Sequence, residues 1–259
     1  MTTLLSGRTF KPAGKPYETS GRLVALEPQP QTVTPNGPMS KPGAPLLATG
    51  AMDRVFLLSP ARLDGRRGQL LFRQGAVFPI AAALRTREGC AIGDVFAFVS
   101  GLYFRGKLTY ANAFARPPAG AAWMGRGALV ITQNRGLVPV DTRICLEHLE
   151  SFAETDIHPD EPAFRRPLER DARALADALG PEGEAVLLGS IASAKYVDAL
   201  VGVFRERLLF PTDFVGRGDM SRGGLLLRAV DANTELVYAP VQGAVRRGTR
   251  PAKLARRHR

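Results

Sequence analysis

Four clusters of polar, charged and glycine residues in this sequence have the composition to carry chemistry. In the first, Ser59-Pro60-Ala61-Arg62 directly follows an apolar run. The hydroxyl of Ser59 and the guanidinium of Arg62 could contact a phosphate or a nucleobase. The same hydroxyl could instead cap the segment that follows, an ordinary role for serine. The first cluster therefore leaves ligand binding and capping open.

The second cluster, residues 100–107, places an aromatic pair and two cations beside two glycines. This composition suits a loop in which Tyr103 stacks on a base while Arg105 and Lys107 pair with phosphate groups. An ordinary connection between a strand and a helix has the same composition. Both interpretations remain open from the sequence.

The third cluster, residues 134–141, follows another apolar run. Asn134 could read the edge of a base, and Arg135 could bind a phosphate. Asp141 could act as a general acid or base, or it could form the N-cap of the next helix. The sequence favours the N-cap.

The fourth cluster, residues 216–224, holds four glycines with two arginines and one aspartate. Dense glycine lets the main chain approach a ligand closely. Arg217 and Arg222 could each bind phosphate or carboxylate through paired N–H groups, and Asp219 could serve as a general acid or base. This cluster favours function over a purely structural turn.

Other motifs with known chemistry are missing from the sequence. It has no phosphate-binding loop ending in Gly-Lys-Ser/Thr, no nucleophile elbow and no Cys/His spacing typical of zinc. The three histidines, His148, His158 and His258, have no evident catalytic partner in the sequence. We therefore expect no metal and no cofactor.

The elements that must position these clusters alternate between strands and helices. The sequence predicts buried strands at 53–58, 128–132 and 185–190, an apolar element at 95–99, and short strands near 206–210, 223–230 and 235–238. Helical spacing predicts helices at 74–86, 107–115 and 167–179, and one that carries Val197, Leu200, Val201 and Phe204. This pattern indicates a single compact α/β domain whose mixed, mostly parallel sheet is covered by helices on both faces. Ligands bind such sheets beyond the carboxyl ends of the strands, so we expect the clusters to share one cleft there.

Composition divides the chain into three parts. Residues 1–50 contain eight Pro and six Gly, which predicts a flexible N-terminal segment. A hypothesis from this boundary is that translation begins at Met52. Residues 51–244 form the predicted folded domain, and residues 245–259 form a predicted disordered tail with seven Lys/Arg and no acid. The tail supplies much of the net charge of +11, and such a segment attracts polyanions without selecting a sequence.

The cysteine content and the hydropathy of the sequence indicate where in the cell the protein is located. The chain has two cysteines, Cys90 and Cys145, both in apolar surroundings, which is too few for a secreted disulfide framework. No apolar run reaches the roughly 20 residues of a membrane-spanning helix. These features predict a cytoplasmic protein with no membrane partner.

Five segments, read in order, resemble motifs of the bacterial peroxide-stress protein family of the YaaA type. The resemblance spans roughly residues 53–230, and its last segment is the most specific. Lys195 stands where the family has Glu, and the family's Pro-Tyr-Arg-Leu-Glu-Met segment has no counterpart here, so the chain resembles a divergent member. The matching segments are Ser59-Pro60-Ala61-Arg62, residues 103–108, 134–141 and 190–196, and Gly216-Arg217-Gly218-Asp219-Met220-Ser221-Arg222.

The resemblance implies a double-stranded DNA-binding protein that limits oxidative DNA damage when peroxide and free iron rise. On this hypothesis one cleft presents the DNA-binding residues Ser59, Arg62, Arg105, Lys107, Arg135, Lys195, Arg217 and Arg222.

The alternative is an enzyme that processes a nucleobase or nucleoside, in the manner of a glycosylase or transglycosylase. Its candidate catalytic residues in the same cleft are Tyr103, Asn134, Asp141 and Asp219. A third interpretation is a structural module whose glycines only shape turns.

Overall fold

The structure is a computed structural model that describes residues 52–192 and 194–255. The predicted flexible segment 1–50 and the last four residues lie outside this described part. Within it, six strands form one mixed sheet in the order β4-β3-β1-β6-β7-β8, and β2 pairs with β5 in a short antiparallel ladder. The strands are β1 Arg54–Leu58, β2 Cys90–Ala91, β3 Ala128–Ile131, β4 Leu137–Pro139, β5 Arg143–Ile144, β6 Glu184–Leu188, β7 Leu208–Pro211 and β8 Tyr238–Pro240.

Strand β1 lies in the middle of the large sheet because both of its faces are apolar. It pairs in parallel with β3 and β6, so that Leu57 lies opposite Leu129 and Leu187. Strand β7 continues the parallel arrangement, while β4 and β8 close the two edges as antiparallel strands. The carboxyl ends of four strands therefore meet at one edge of the sheet.

Helices cover both faces of this sheet. Side chains alternate along β1, so Val55 and Leu57 pack beneath α6 and α7, whereas Phe56 and Leu58 pack with the other helices. This arrangement confirms the predicted α/β fold class. The helices are α1 Arg66–Phe72, α2 Pro79–Leu84, α3 Ile92–Ser100, α4 Leu102–Phe114, α5 Leu146–Glu154, α6 Pro162–Leu179, α7 Ala194–Phe204 and α8 Asp219–Asp231.

Several of the predicted elements differ in kind or extent. The helix expected at 74–86 is confined to Pro79–Leu84, and the helix expected at 107–115 begins at Leu102, so most of the loop expected at 100–107 is helical. The segment 223–230, expected as a strand, lies within α8, and the helix expected to start at Pro167 begins at Pro162. Proline is favoured in the first turn of a helix, and Pro162 has that position, while Pro167 lies inside the helix. The apolar run 95–99 lies within helix α3.

Residues 245–255 contact the folded part through backbone carbonyl groups. The Arg217 guanidinium donates to the carbonyl of Ala252 at 3.3 Å, and Arg228 donates to the carbonyl of Ala255. Among the described residues, no helix combines the length and the hydropathy needed to cross a membrane.

Candidate active site

A cleft of about 580 Å³ lies beside the carboxyl ends of β1 and β6. Clefts of roughly 300–1,000 Å³ are typical of small-molecule sites. We call it the strand-end cleft. Its main polar lining residues are Ser59, Arg62, Tyr103, Lys195, Tyr196 and Asp219.

Behind the lining of this cleft lies Lys107 on α4, a lysine that is 1% exposed. Its Nζ donates to the backbone oxygen of Ser59 at 2.5 Å and to the Oγ of Ser59 at 3.0 Å. The Nζ also lies 4.5 Å from the ring centroid of Tyr103 and 4.6 Å from that of Phe104. Its partners are thus one serine and two aromatic rings, and none of these carries a compensating negative charge.

This environment destabilises the ammonium form of Lys107. Burial lowers its pKa to about 7, with Asp219 acting in the opposite direction and Arg222 adding to the lowering. Near neutral pH a large fraction of the side chain is therefore the uncharged amine. A neutral amine in contact with a hydroxyl can accept its proton.

Ser59 is placed by the end of β1 and by the neighbouring strand. Its Oγ donates to the carbonyl of Leu188 at 3.3 Å, so its main contacts are with the sheet and Lys107 rather than a helix terminus. Gly189 follows Leu188, and a Cβ there would lie 2.9 Å from the Cβ of Ser59 and 2.9 Å from the hydroxyl oxygen of Tyr196. The absence of a side chain at Gly189 thus lets Ser59 and Tyr196 approach each other.

Two tyrosines line this part of the site. Tyr196 donates to the carbonyl of Ser190 at 3.3 Å. The hydroxyl of Tyr103 is fully buried, and it interacts with Arg222 of α8 without a hydrogen bond of ordinary geometry among the described residues. Burial raises the pKa of Tyr103, while Arg222 opposes this effect, so the phenol is neutral at physiological pH. Tyr103 therefore forms part of the wall of the cleft, with its hydroxyl buried.

Helix α8 contributes a carboxylate and an arginine. Asp219 is the first residue of α8 and lines the cleft, and its Oδ1 lies 3.7 Å from Nη1 of Arg222. The Nε and Nη2 groups of Arg222 donate to the carbonyl of Phe214 at 3.2 and 3.0 Å, and its guanidinium lies over the Phe214 ring. Arg222 therefore acts mainly in packing, whereas Asp219 faces the cleft.

The structure brings several of the predicted site residues together. Ser59, Arg62, Tyr103, Lys195 and Asp219 line the strand-end cleft, and Lys107 lies directly behind Ser59. Arg62 and Lys195 are exposed, and Arg62 is paired with Asp64.

The remaining predicted residues do not share the cleft. Arg105 lines a separate, largely apolar groove, and Arg135 is exposed beyond β3 without lining the strand-end cleft. The amide of Asn134 donates to Ser151 and Thr155, so it is not free to read a base.

Asp141 lies at the opposite edge of the sheet because β4 runs antiparallel to β3, which places the end of β4 beside the start of β3. The N-cap of α5 is Cys145, so Asp141 does not have the predicted capping role either. A catalytic role for Asp141 in the strand-end cleft is excluded by this geometry.

The predicted stacking of Tyr103 on a base is also wrong. Its ring is 6% exposed, with Lys107 against its face and Phe214 in edge contact. Arg217 is likewise only partly accessible, since its guanidinium donates to Ser221 and Ala252. Neither the ring face nor the buried hydroxyl of Tyr103 is open to a ligand in the cleft.

Two features of the site were missed from the sequence. Tyr196 and Ser190 were quoted only as part of a motif, yet both line the cleft. Lys107 was expected to be an exposed phosphate ligand and is buried. A sequence signal existed for it, because Lys107 lies four residues after Tyr103 and three after Phe104, on the apolar face of a helix.

A comparison with known proteins found no family model, curated protein or solved structure that matches this chain. The resemblance to the peroxide-stress family therefore stays a prediction. Any functional conclusion depends on the geometry of the strand-end cleft.

Proposed function

We propose that this protein is an enzyme that acts on a small polar molecule, of nucleobase or nucleoside class, in the strand-end cleft. The observation that carries the proposal is the cleft itself, at the carboxyl ends of the parallel strands β1 and β6, with the carboxylate of Asp219 in its lining. Ligand sites of open α/β sheets lie at this edge.

The other polar groups of the cleft support the same substrate class. The hydroxyls of Ser59, Ser190 and Tyr196 can each donate or accept, and the carboxylate of Asp219 can accept from a ring N–H or a ribose hydroxyl. Nucleobases and nucleosides carry donors and acceptors at several positions. The volume of about 580 Å³ is sufficient for a molecule of this size.

Titration of the full-length chain with a panel of nucleobases and nucleosides by isothermal calorimetry tests this proposal. Asp219→Asn should weaken binding of the tightest ligand by about 10-fold or more, because a hydrogen bond to a charged group contributes about 1.5–3 kcal/mol. Asp213→Asn is the matched control, since Asp213 is also an exposed carboxylate but does not line the cleft. Failure of every compound to bind at millimolar concentration would reject this substrate class.

A second proposal is a cytoplasmic DNA-binding protein that limits oxidative DNA damage. It is favoured by a run of exposed cations in the C-terminal segment, Arg246, Arg247, Arg250 and Lys253. Such cations bind phosphate groups without base specificity. The salt dependence of DNA affinity tests this proposal.

A further inference from the structure

We infer that Ser59 is a nucleophile and that Lys107 is its general base, so that the strand-end cleft transfers or hydrolyses an acyl group. The inference rests on the proposed function in one respect, namely that a small substrate enters this cleft. It adds the reaction class and the two residues that perform it.

The positions of the two side chains suit these roles. Ser59 lines the cleft, whereas Lys107 lies behind it with its Nζ 3.0 Å from the serine Oγ. A nucleophile must reach the substrate and a base must reach the nucleophile, within about 2.6–3.2 Å. Because Lys107 is 1% exposed, its amine reaches the cleft only through Ser59, which disfavours Lys107 as the nucleophile itself.

The surroundings of the amine also suit a base. The hydrogen bond from Ser59 Oγ to the Leu188 carbonyl is long, at 3.3 Å, and therefore weak. Rotation of the hydroxyl toward the amine of Lys107 costs little free energy because it breaks only this weak hydrogen bond. The ionisable groups that face the pair are Asp219 and Arg222 from α8 and Tyr103 from α4, with the Tyr196 hydroxyl from α7 beside Ser59. Serine–lysine pairs are an established variant of nucleophilic catalysis on unrelated folds.

The chemical step balances without any further reactant except water. Ser59 Oγ attacks the acyl carbonyl carbon while its proton moves to the Nζ of Lys107. Collapse of the tetrahedral intermediate breaks the bond to the leaving group, which takes that proton. Water then attacks the carbonyl carbon of the serine ester while its proton moves to the Nζ of Lys107. The bond between that carbon and Ser59 Oγ breaks, the lysine returns the proton to Oγ, and the carboxylic acid leaves.

Reaction of the full-length chain with an alkyl phosphonofluoridate tests the inference by intact mass and peptide mapping. Labelling forms an Oγ–P bond, breaks the P–F bond and releases fluoride. We expect one label per chain, located on Ser59, at a rate that rises through about pH 7 as Lys107 loses its proton. Ser59→Ala should abolish labelling, and Lys107→Met should slow it by about 100-fold or more.

Ser151→Ala is the control, because Ser151 is an exposed serine on α5 that does not line the strand-end cleft. In this control variant Ser59 should be labelled at a rate within about threefold of the wild-type rate. A difference of that size is small beside the roughly 100-fold loss expected when a general base is removed. A label on another residue, a rate independent of pH between 6 and 8.5, or wild-type labelling of Lys107→Met would overturn the inference. If Lys107→Met does not fold, the position of the label and the pH profile of the labelling rate in the wild-type chain still test the roles of Ser59 and Lys107.

The outcome separates this inference from the proposed function. Nucleoside binding with no label on Ser59 would refute the nucleophile and leave the substrate class standing. A label on Ser59 without binding of any nucleoside would refute the substrate class and leave the nucleophile standing.

Discussion

Lys107 has an unusual environment for a lysine, because it is 1% exposed. A buried lysine without a carboxylate partner raises the free energy of the native state whenever it is charged. Its two hydrogen bonds to Ser59 and the faces of Tyr103 and Phe104 offset only part of that cost. A strongly lowered lysine pKa beside a cleft is one of the features that mark functional sites.

The stability of the chain should therefore depend on pH through this lysine. Its pKa falls from 10.5 to about 7 on folding, so the unfolded chain binds more protons than the native chain between these values. Stability then rises with pH, by about 2 kcal/mol between pH 7 and pH 9. Urea unfolding of wild type and Lys107→Met at both pH values measures this gain.

Lys107→Met serves here as the reference, because titration of the cysteines and other groups affects both proteins alike. The variant should lack the gain attributed to the lysine. An equal change of stability with pH in the two proteins would show that Lys107 is charged in the native state near pH 7.

At the scale of the element, the site depends on the close approach of two helices. A Cβ on Gly106 of α4 would lie 2.8 Å from the carbonyl oxygen of Gly223 on α8, and a Cβ on Gly223 would lie 2.7 Å from the carbonyl oxygen of Leu102. Main chain thus packs on main chain at this contact. Because α4 carries Lys107 and α8 carries Asp219, this contact sets the distance between the two sides of the site.

Gly223→Ala should destabilise the protein by about 1–3 kcal/mol through overpacking, although alanine favours an exposed helix by about 1 kcal/mol over glycine. Chemical denaturation measures the change. Gly224→Ala is the control, since the nearest atom to its Cβ, on Leu254, lies 3.6 Å away. We expect the control to be neutral or slightly stabilising, and equal effects of the two substitutions would contradict the packing argument.

The same helix shows how far the elements could be predicted. The continuous apolar runs of β1, β3 and β6 predicted strands because strands buried on both faces need apolar residues throughout. The prediction of a strand near 223–230 is wrong because a short apolar run fits a buried strand and a helix segment equally well. Its glycines instead fit against α4, a tertiary contact that no local pattern contains.

At the scale of the whole molecule, parallel topology explains which site residues could be predicted together. Clusters that follow parallel strands meet at one edge, which is why Ser59 and Ser190 share a cleft. The prediction that Asp141 shares this cleft is wrong because strand β4, which precedes it, runs antiparallel to β3. The sequence did not show this change of direction. The spacing of Lys107 from Tyr103 and Phe104 places it on the apolar face of α4, but its contact with Ser59 depends on α4 packing over the end of β1, which no local pattern contains.

The DNA-binding proposal predicts that the exposed cations of the C-terminal segment determine how DNA affinity depends on salt. Replacement of Arg247, Arg250 and Lys253 by Gln should reduce the slope of log affinity against log salt by about 0.9 for each lost phosphate contact; Arg246 is left unchanged because it pairs with Asp198. Fluorescence anisotropy with a duplex over a range of salt concentrations measures this slope. The control replaces Arg165, Arg170 and Arg173 of α6, which are exposed but paired with acidic neighbours. Equal slopes for both triple variants would reject a role for the C-terminal segment.

The central position of β1 has a consequence for how the protein is made. Leu57 of β1 pairs with Leu187 of β6, 130 positions later, so one side of the first strand has no partner until most of the domain has left the ribosome. At roughly 5–20 residues per second, this wait lasts about 6–26 s. During that time an apolar strand edge is open to wrong partners, which favours aggregation of the nascent chain.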